Sequence, residues 1–200
     1  MRQKSQWALS VSVFCMFAAW PSGVWAGKPL ENIPLVWKPT NRKDTGVLNL
    51  VGMTSAKFRV EPFVDSRPDK KKIGENQEDK LPKPVTTSGN VAAFCTEHFS
   101  EMLRQYGLSV VTEGGDVLIA GEVLEFMVIE TNTYKGEVRL KLTVKRADKE
   151  EWIGVAAGTS SRFGRSYKAE NYYETLSDAL LEASERAVRD EGFRKASTAN

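Results

Sequence analysis

Apolar positions in the second half of the chain follow a helical period in two places. Between residues 91 and 106 they recur at spacings of three and four, which predicts an amphipathic helix. Residues 87–90 offer side chains that can cap the first amides, and Gly107 supplies the left-handed stop that often ends a helix. The same spacing over 172–190, with several alanines on the apolar stripe, predicts a second helix packed close to a sheet.

Between the two predicted helices the pattern changes to the period of strands. Residues 117–129 are apolar on both alternating faces, which is typical of a central strand. Residues 138–144 alternate apolar and polar positions, and a third long strand is expected over 152–163. Because short turns separate these three strands, they predict a meander. An earlier strand over 57–65 contains Pro62, which favours an edge position or a strand end.

This order of elements predicts an α+β fold, with a mostly antiparallel sheet of about four to five strands and two helices packed on one face. We expect a single domain over residues 47–193. Residues 27–46 contain three prolines and follow neither period, so they predict an extended leader. The charged stretch 67–85 contains three breakers and predicts a long mobile loop, and 194–200 predicts a disordered tail.

The amino terminus has the pattern of an export signal. Arg2 and Lys4 precede an apolar run over 7–20, and small residues lead up to a predicted cleavage after Ala26. A membrane span needs roughly 20 apolar residues, so this shorter run favours a signal peptide over 1–26 rather than an uncleaved anchor.

Removal of the signal changes both the predicted location and the charge of the protein. Cys15 lies in the middle of the apolar run and not after it, so a lipid anchor at this cysteine is not expected. The full chain has 28 basic and 26 acidic residues, and loss of Arg2 and Lys4 leaves 26 of each. A chain without net charge has little electrostatic attraction for nucleic acid. We therefore expect an exported periplasmic protein, with the outer membrane as a candidate site of association, no nucleic-acid partner and no transmembrane span after cleavage.

Two side chains of the first predicted helix have residue types that can carry chemistry. Cys95 and the only histidine, His98, lie three residues apart and therefore point the same way. A cysteine nucleophile needs an exposed thiolate, and a zinc site needs further ligands. Because both residues lie on the apolar stripe, we expect a packed core pair, and no catalytic residue, cofactor or metal is predicted.

Five residues are candidate contacts for a partner or ligand. Asp65 and Arg67 follow a strand and border the predicted loop, where binding groups often lie, although turn formation also explains an aspartate there. Phe163, Arg165 and Tyr167 form an aromatic and basic cluster at a strand exit, which could bind a sugar or a protein. Covering the end of the sheet is the structural alternative for this cluster.

Four short motifs resemble a known family. They are Asp65-Ser66-Arg67, Ile73-Gly74, Tyr106-Gly107-Leu108 and Gly121-Glu122-Val123, and together they resemble the YajG-like family of bacterial envelope proteins. More distantly, the order of elements is similar to the amino-terminal domain of TolB and to CsgG-like domains. The resemblance covers residues 47 to 190 and implies an envelope protein, usually tethered through an amino-terminal lipid. It provides no catalytic residues that could be transferred to this chain.

Taken together, these features predict a cell-envelope accessory protein that acts by binding, as an assembly or transport adaptor, and not by catalysis. An envelope protein or a second copy of the chain is the expected partner. Two alternatives stay open at this point. One is a small-ligand carrier with a pocket between the helices and the sheet, and the other is a hydrolase or metal-dependent enzyme that uses His98 and carboxylates.

Overall fold

The computed structural model describes residues 29–40, 48, 50–147 and 149–198. The predicted signal peptide, its cleavage site and Cys15 lie outside the described residues. Within them, the chain forms these elements: β1 Lys57–Val60, β2 Val64–Asp65, β3 Lys72–Asn76, β4 Lys83–Thr86, α1 Val91–Gln105, β5 Ser109–Val110, β6 Val117–Glu130, β7 Thr133–Arg146, β8 Lys149–Phe163, α2 Ala169–Arg189 and α3 Glu191–Ser197. The α+β prediction is confirmed, but the described sheet has eight strands and not four to five. Three helices, rather than two, accompany it in this part of the chain.

The centre of the fold is the meander of β6, β7 and β8, which confirms the predicted order of long strands. These three strands pair antiparallel, and their register places Val123, Leu140 and Ala156 side by side. All three side chains are buried, so this face of the sheet carries the core. Both predicted helices pack on this face: the ring of Phe94 on α1 meets Phe126, and α2 lies against the backbone of Gly158.

The rest of the sheet is assembled around β6 and makes the sheet mixed. β1, β2 and β3 each run parallel to β6, and β5 runs parallel to β1. The predicted strand over 57–65 is divided into β1 and β2, because Pro62 interrupts the pairing between them. At the interruption, the Phe63 ring packs directly over Gly121 of β6, where a side chain would leave no room for it.

The prediction of a long loop over 67–85 is wrong, because this segment contains β3 and β4. The two strands pair antiparallel, and β3 also pairs with β6. Ile73 and Val85 are fully buried and give the hairpin its share of the core. The proline and glycine that suggested a loop are compatible with strands at these positions. Pro84 lies on the outer strand of the hairpin, and Gly74 leaves space for the ring of Tyr172.

The prediction of a disordered tail is wrong over residues 194–197, which belong to α3. The Asp190 side chain caps this helix by accepting a hydrogen bond from the Phe193 amide at 2.8 Å. The Phe193 ring packs edge-on against Trp152 of β8, with centroids 5.5 Å apart. A short helix that begins with a good cap and buries an aromatic ring is thus stabilised by packing rather than by its length.

The boundaries of α1 agree with the sequence signals. Asn90 accepts a hydrogen bond from the Ala93 amide at 3.0 Å, and Gly107 follows the helix with a φ of 84°. The described part of the leader, residues 29–40, crosses α2 without regular structure of its own beyond one isolated bridge. There the Thr40 amide donates to Asp178 at 2.7 Å. None of the helices described is both long and apolar enough to cross a membrane.

Candidate functional site

The first predicted contact pair, Asp65 and Arg67, forms a buried ion pair at the side of β6. The guanidinium donates from Nε to Oδ1 of Asp65 at 2.9 Å and from Nη2 to Oδ2 at 2.8 Å, which is bidentate geometry. The Arg67 side chain is only 4% exposed. Since β2 ends at Asp65, the pair closes the turn that leads from β2 into the hairpin.

The remaining donors of Arg67 bind main-chain carbonyls from two further segments. Nη2 donates to the Lys70 oxygen at 2.7 Å, and Nη1 donates to Lys72 at 2.9 Å and to Phe126 of β6 at 3.4 Å. A guanidinium has five N–H donors, and each of them therefore has an acceptor within the fold. We call Asp65 and Arg67 the arginine clamp. Its geometry favours the structural interpretation of this motif.

The electrostatics of the clamp follow from the same contacts. Burial alone would raise the pKa of Asp65, but the side-chain and backbone hydrogen bonds from Arg67, together with its charge, outweigh burial and hold that pKa below its usual value. The carboxylate is therefore kept ionised, as the bidentate pair requires.

The second predicted group lies where the chain leaves β8, and its members have different surroundings. Phe163 is 88% exposed. Arg165 is 69% exposed and reaches Glu78 at the turn of the β3–β4 hairpin, with Nε 3.3 Å from Oε1. Tyr167 is half-buried: its hydroxyl accepts a hydrogen bond from the Leu30 amide at 3.2 Å. The structure thus makes Tyr167 part of the scaffold and leaves Phe163 and Arg165 accessible.

A buried carboxylate that the sequence interpretation missed holds this exit in place. Glu130, at the end of β6, is fully buried and accepts hydrogen bonds from the Tyr167 amide at 2.9 Å and the Tyr172 hydroxyl at 2.7 Å. Burial, and then the hydrogen bond to Glu130, raises the pKa of Tyr172, so this phenol stays a donor. The alternation of β6 offered a signal, because Glu130 falls on the same face as Val128.

One more apolar side chain belongs to this end of the sheet. Leu81 lies in the β3–β4 turn and is 80% exposed, and the ion pair of Glu78 with Arg165 joins that turn to the exit of β8. A shallow depression of about 380 Å³ lies between the two segments, bordered also by Thr131 of the β6–β7 turn. We call Leu81, Glu78, Phe163 and Arg165 the strand-exit surface.

The clamp and the strand-exit surface are separate sites. Asp65 pairs with Val123 in β6, whereas Phe163 pairs with Thr133, beyond the end of β6 at Glu130. At a rise of about 3.3 Å per residue, Val123 and Glu130 are roughly 23 Å apart along the strand. The five residues that the sequence suggested therefore form two separate groups with different surroundings.

Cys95 and His98 lie among core side chains. Cys95 is fully buried, and this burial raises the pKa of its thiol, which disfavours the thiolate that a nucleophile needs. The His98 ring stacks on Trp37 with centroids 4.2 Å apart and meets Phe94 edge-on at 4.4 Å. Its Nδ1 is 3.2 Å from Oε2 of Glu101. In the part of the chain that the structure describes, no group of three or more His, Cys, Asp or Glu side chains could hold a metal ion.

Comparison with known proteins shows the fold but not a family. No family model matches the chain, and no curated protein matches it. A Xanthomonas campestris protein of the DUF330 family superimposes with a TM-score of 0.52 at 10% identity, over 66% of this chain and 81% of that chain. This likeness shows that the two share their fold over two thirds of this chain. The resemblance to the YajG, TolB and CsgG proteins stays a prediction.

Two other solved structures overlap less well. A putative lipoprotein from Caulobacter crescentus gives a TM-score of 0.39 at 10% identity, over 74% of this chain and 91% of that chain. PelC from Paraburkholderia phytofirmans, which forms a dodecamer, gives 0.40 at 11% identity, over 65% of this chain and 86% of that chain. Overlap at this level supports no inference about this chain.

Proposed function

We propose that this protein is an exported accessory protein of the cell envelope that acts by binding another envelope protein through the strand-exit surface, and not by catalysis. The observation that carries the proposal is the pair of exposed apolar side chains, Leu81 and Phe163, at one end of the sheet. Export is supported by the charged start, short apolar run and small residues of the amino terminus.

The strand-exit surface has the composition and rigidity of a protein-binding site. Single exposed apolar residues are common on any protein, but here Leu81 lies in the β3–β4 turn and Phe163 ends β8, and the Glu78–Arg165 ion pair connects these two segments. Aromatic and arginine side chains dominate the binding energy of protein interfaces. The buried Glu130 fixes the backbone that carries them, so little conformational entropy is lost when a partner binds.

The alternatives of a carrier and of an enzyme stay predictions. For the enzyme, the burial of Cys95 argues against its use as a nucleophile. For the carrier, the depression at the strand-exit surface is open and bordered by polar side chains such as Gln77 and Asn132, which suits contact with a protein better than burial of an apolar ligand.

In-cell photocrosslinking tests the proposal with a control of matched exposure. A photoreactive phenylalanine analogue replaces Phe163 or Leu81 in the full chain, and Val51, which is 87% exposed in a turn before β1, serves as the control position. We expect both strand-exit positions to crosslink to the same envelope protein and the Val51 position not to do so. The same adducts at all three positions, or no protein adduct at positions 81 and 163, would contradict the proposal.

A further inference from the structure

Arg165 has a guanidinium group that the fold leaves without a hydrogen-bonded partner. Its contact with the described residues is the ion pair with Glu78, in which Nε lies 3.3 Å from Oε1, and none of its N–H groups donates a hydrogen bond within that part of the chain. A guanidinium has five N–H donors, arranged so that it can bind a carboxylate at two points. In Arg67 the fold uses all of these donors. The donors of Arg165 are available to another molecule.

The backbone that follows Arg165 is held in place by buried side chains. The Ser166 amide donates to the Tyr134 hydroxyl at 3.2 Å, and the Tyr167 amide donates to Glu130 at 2.9 Å. Tyr167 has a φ of 42°, in the left-handed region that few residues other than glycine adopt. Such a conformation persists only where the surrounding structure enforces it, and it is common at binding sites. The backbone from which the Arg165 side chain extends is thus fixed before a partner binds, which lowers the entropy lost on binding.

The surroundings of Arg165 carry an excess of positive charge. Segments 77–83 and 163–168 contain four cationic side chains and two acidic ones: Lys80, Lys83, Arg165, Lys168, Glu78 and Asp79. Both acidic side chains already have a cationic partner within these segments, and the pair of Asp79 with Lys83 measures 2.6 Å. Lys80 and Lys168 are exposed, and neither forms an ion pair with a carboxylate of the described residues. This end of the sheet is therefore complementary in charge to an acidic partner.

We propose that the segment of the envelope partner that binds the strand-exit surface is acidic, and that Arg165 binds one of its carboxylates. Two parallel N–H···O bonds are the geometry in which a guanidinium and a carboxylate match. Leu81 and Phe163 are exposed on the same surface, so the segment combines acidic with apolar side chains. The inference rests on the proposed function and adds the chemistry of the partner that binds there.

A protein segment fits this surface better than an anionic membrane does. Proteins that lie on a membrane bury a continuous apolar face among the headgroups. Here a polar depression lies between the segments that carry the two exposed apolar side chains, and Gln77, Thr131 and Asn132 border it. Their amide and hydroxyl groups can bind the N–H and C=O groups of a polypeptide. The arrangement favours an acidic protein segment as the occupant.

Two matched substitutions distinguish contact with the partner from support of the surface. Arg165→Gln removes the guanidinium, and Glu78→Gln breaks the same ion pair from its other side. With the photoreactive analogue at Leu81, we expect Arg165→Gln to lower the yield of the adduct with the envelope partner about tenfold, because a charge-assisted pair is lost from the interface. Glu78→Gln should leave the yield unchanged or raise it, since the guanidinium is retained and has no competing carboxylate. Equal losses in the two variants, or no loss in Arg165→Gln, would overturn the proposal.

The composition of the partner segment gives a second, independent measurement. Mass spectrometry of the adduct identifies the partner peptide attached at position 81, and we expect an aspartate or glutamate within a few residues of the attachment point. Replacement of that acidic residue by lysine should lower the yield, and Arg165→Glu in a Glu78→Gln background should restore it, because the charges are then exchanged between the two proteins. A peptide without acidic residues, or a loss that the exchanged charge does not restore, would overturn the proposal.

The proposed function, its acidic partner and the membrane alternative fail in different ways. Absence of a protein adduct from position 81 of the otherwise natural chain would contradict the proposed function itself, whereas an adduct of full yield in Arg165→Gln would contradict the acidic chemistry alone. Sedimentation of the purified protein with phosphatidylglycerol vesicles, and with phosphatidylcholine vesicles as the control, tests the membrane. We expect no more binding to the first than to the second. Binding to the anionic vesicles that Arg165→Gln abolishes would show that a membrane surface is the occupant and would overturn the proposal.

Discussion

The arginine clamp and the strand-exit surface each contain an arginine that the sequence marks as a candidate contact, yet their surroundings differ in kind. Arg67 is 4% exposed and has five acceptors from three segments of the fold, whereas Arg165 is 69% exposed and has one carboxylate partner at 3.3 Å. The first stabilises the fold, and the second is available to another molecule. Burial and the number of acceptors around each arginine therefore distinguish two candidate contacts that the sequence alone does not separate.

The largest difference between the two regions should appear in the free energy of unfolding. Arg67→Ala leaves the Asp65 carboxylate and three carbonyls without their partner, and we expect a loss of about 3–5 kcal/mol. The exposed pair with Glu78 contributes little, so Arg165→Ala should change the same quantity by about 0.5 kcal/mol or less. Urea denaturation of both variants measures this contrast. Equal losses of unfolding free energy in the two variants would contradict the different roles assigned to Arg67 and Arg165.

Acid should weaken the clamp in a way that salt does not. The folded-state pKa of Asp65 is lowered, so its contribution to stability is present above the unfolded value of about 3.9 and is lost as the pH falls through the folded pKa. We expect the difference in unfolding free energy between the natural protein and Asp65→Asn to be large near neutral pH and to shrink in acid.

A surface ion pair provides the control for this measurement. Glu122 accepts a hydrogen bond from Lys141 at 2.7 Å, which lowers the pKa of Glu122, but both groups are exposed. The effect of Glu122→Gln should therefore disappear in high salt, whereas the effect of Asp65→Asn should persist. A contribution from Asp65 that salt removes would show that the clamp is not shielded from solvent.

Substitution of Glu130 should lower the free energy of unfolding by less than substitution of Arg67 does. It should disorder the strand exit more. The two carboxylate oxygens of Glu130 accept hydrogen bonds from two donors, and Glu130→Gln replaces one of these oxygens with an NH2 group that cannot accept. We expect the free energy of unfolding to fall by about 1–3 kcal/mol and amide hydrogen exchange over 164–167 to become faster. Tyr172→Phe removes a partner of the same carboxylate, so the double variant should cost less than the sum of the single ones. Strict additivity, with unchanged exchange at the exit, would contradict the anchoring role.

Substitution of Phe163 should have the smallest effect on the free energy of unfolding and the largest effect on binding of the partner. Phe163→Ser removes a ring that is 88% exposed and should change the free energy of unfolding by about 0.5 kcal/mol or less. Val51→Ser, at 87% exposure, is the matched control and should behave alike. A substantial loss of stability in Phe163→Ser alone would place this ring in the fold rather than at a binding surface.

The elements that the sequence predicted are those with local signals. Asn90 and Gly107 bound α1 by chemistry within a few residues of the helix, and the meander has short turns and a regular alternation. The errors involve distant partners. β3 pairs with the distant β6 as well as with its neighbour β4, and α3 is stabilised by the contact of Phe193 with Trp152 in addition to its Asp190 cap. No sequence feature within either segment predicts its contact with a distant residue.

The candidate site was predictable only in part, for the same reason. Phe163 and Arg165 stand out as an aromatic and basic cluster at a strand end, and the structure leaves them exposed. The burial of Arg67 depends on the carbonyl of Phe126, which lies 59 residues away in the chain. Leu81 joins the strand-exit surface through the hairpin, and that hairpin was predicted as a loop.

The most direct test of the account is the yield of the crosslink from position 81 when a second residue is changed. The photoreactive analogue stays at Leu81, and the chain carries Phe163→Ser or the control Val51→Ser. Loss of an aromatic anchor from an interface costs about 1–3 kcal/mol, so we expect Phe163→Ser to lower the yield to the envelope partner about tenfold and Val51→Ser to leave it within about twofold. Equal yields from the two variants would contradict the claim that the strand-exit surface is where this protein binds.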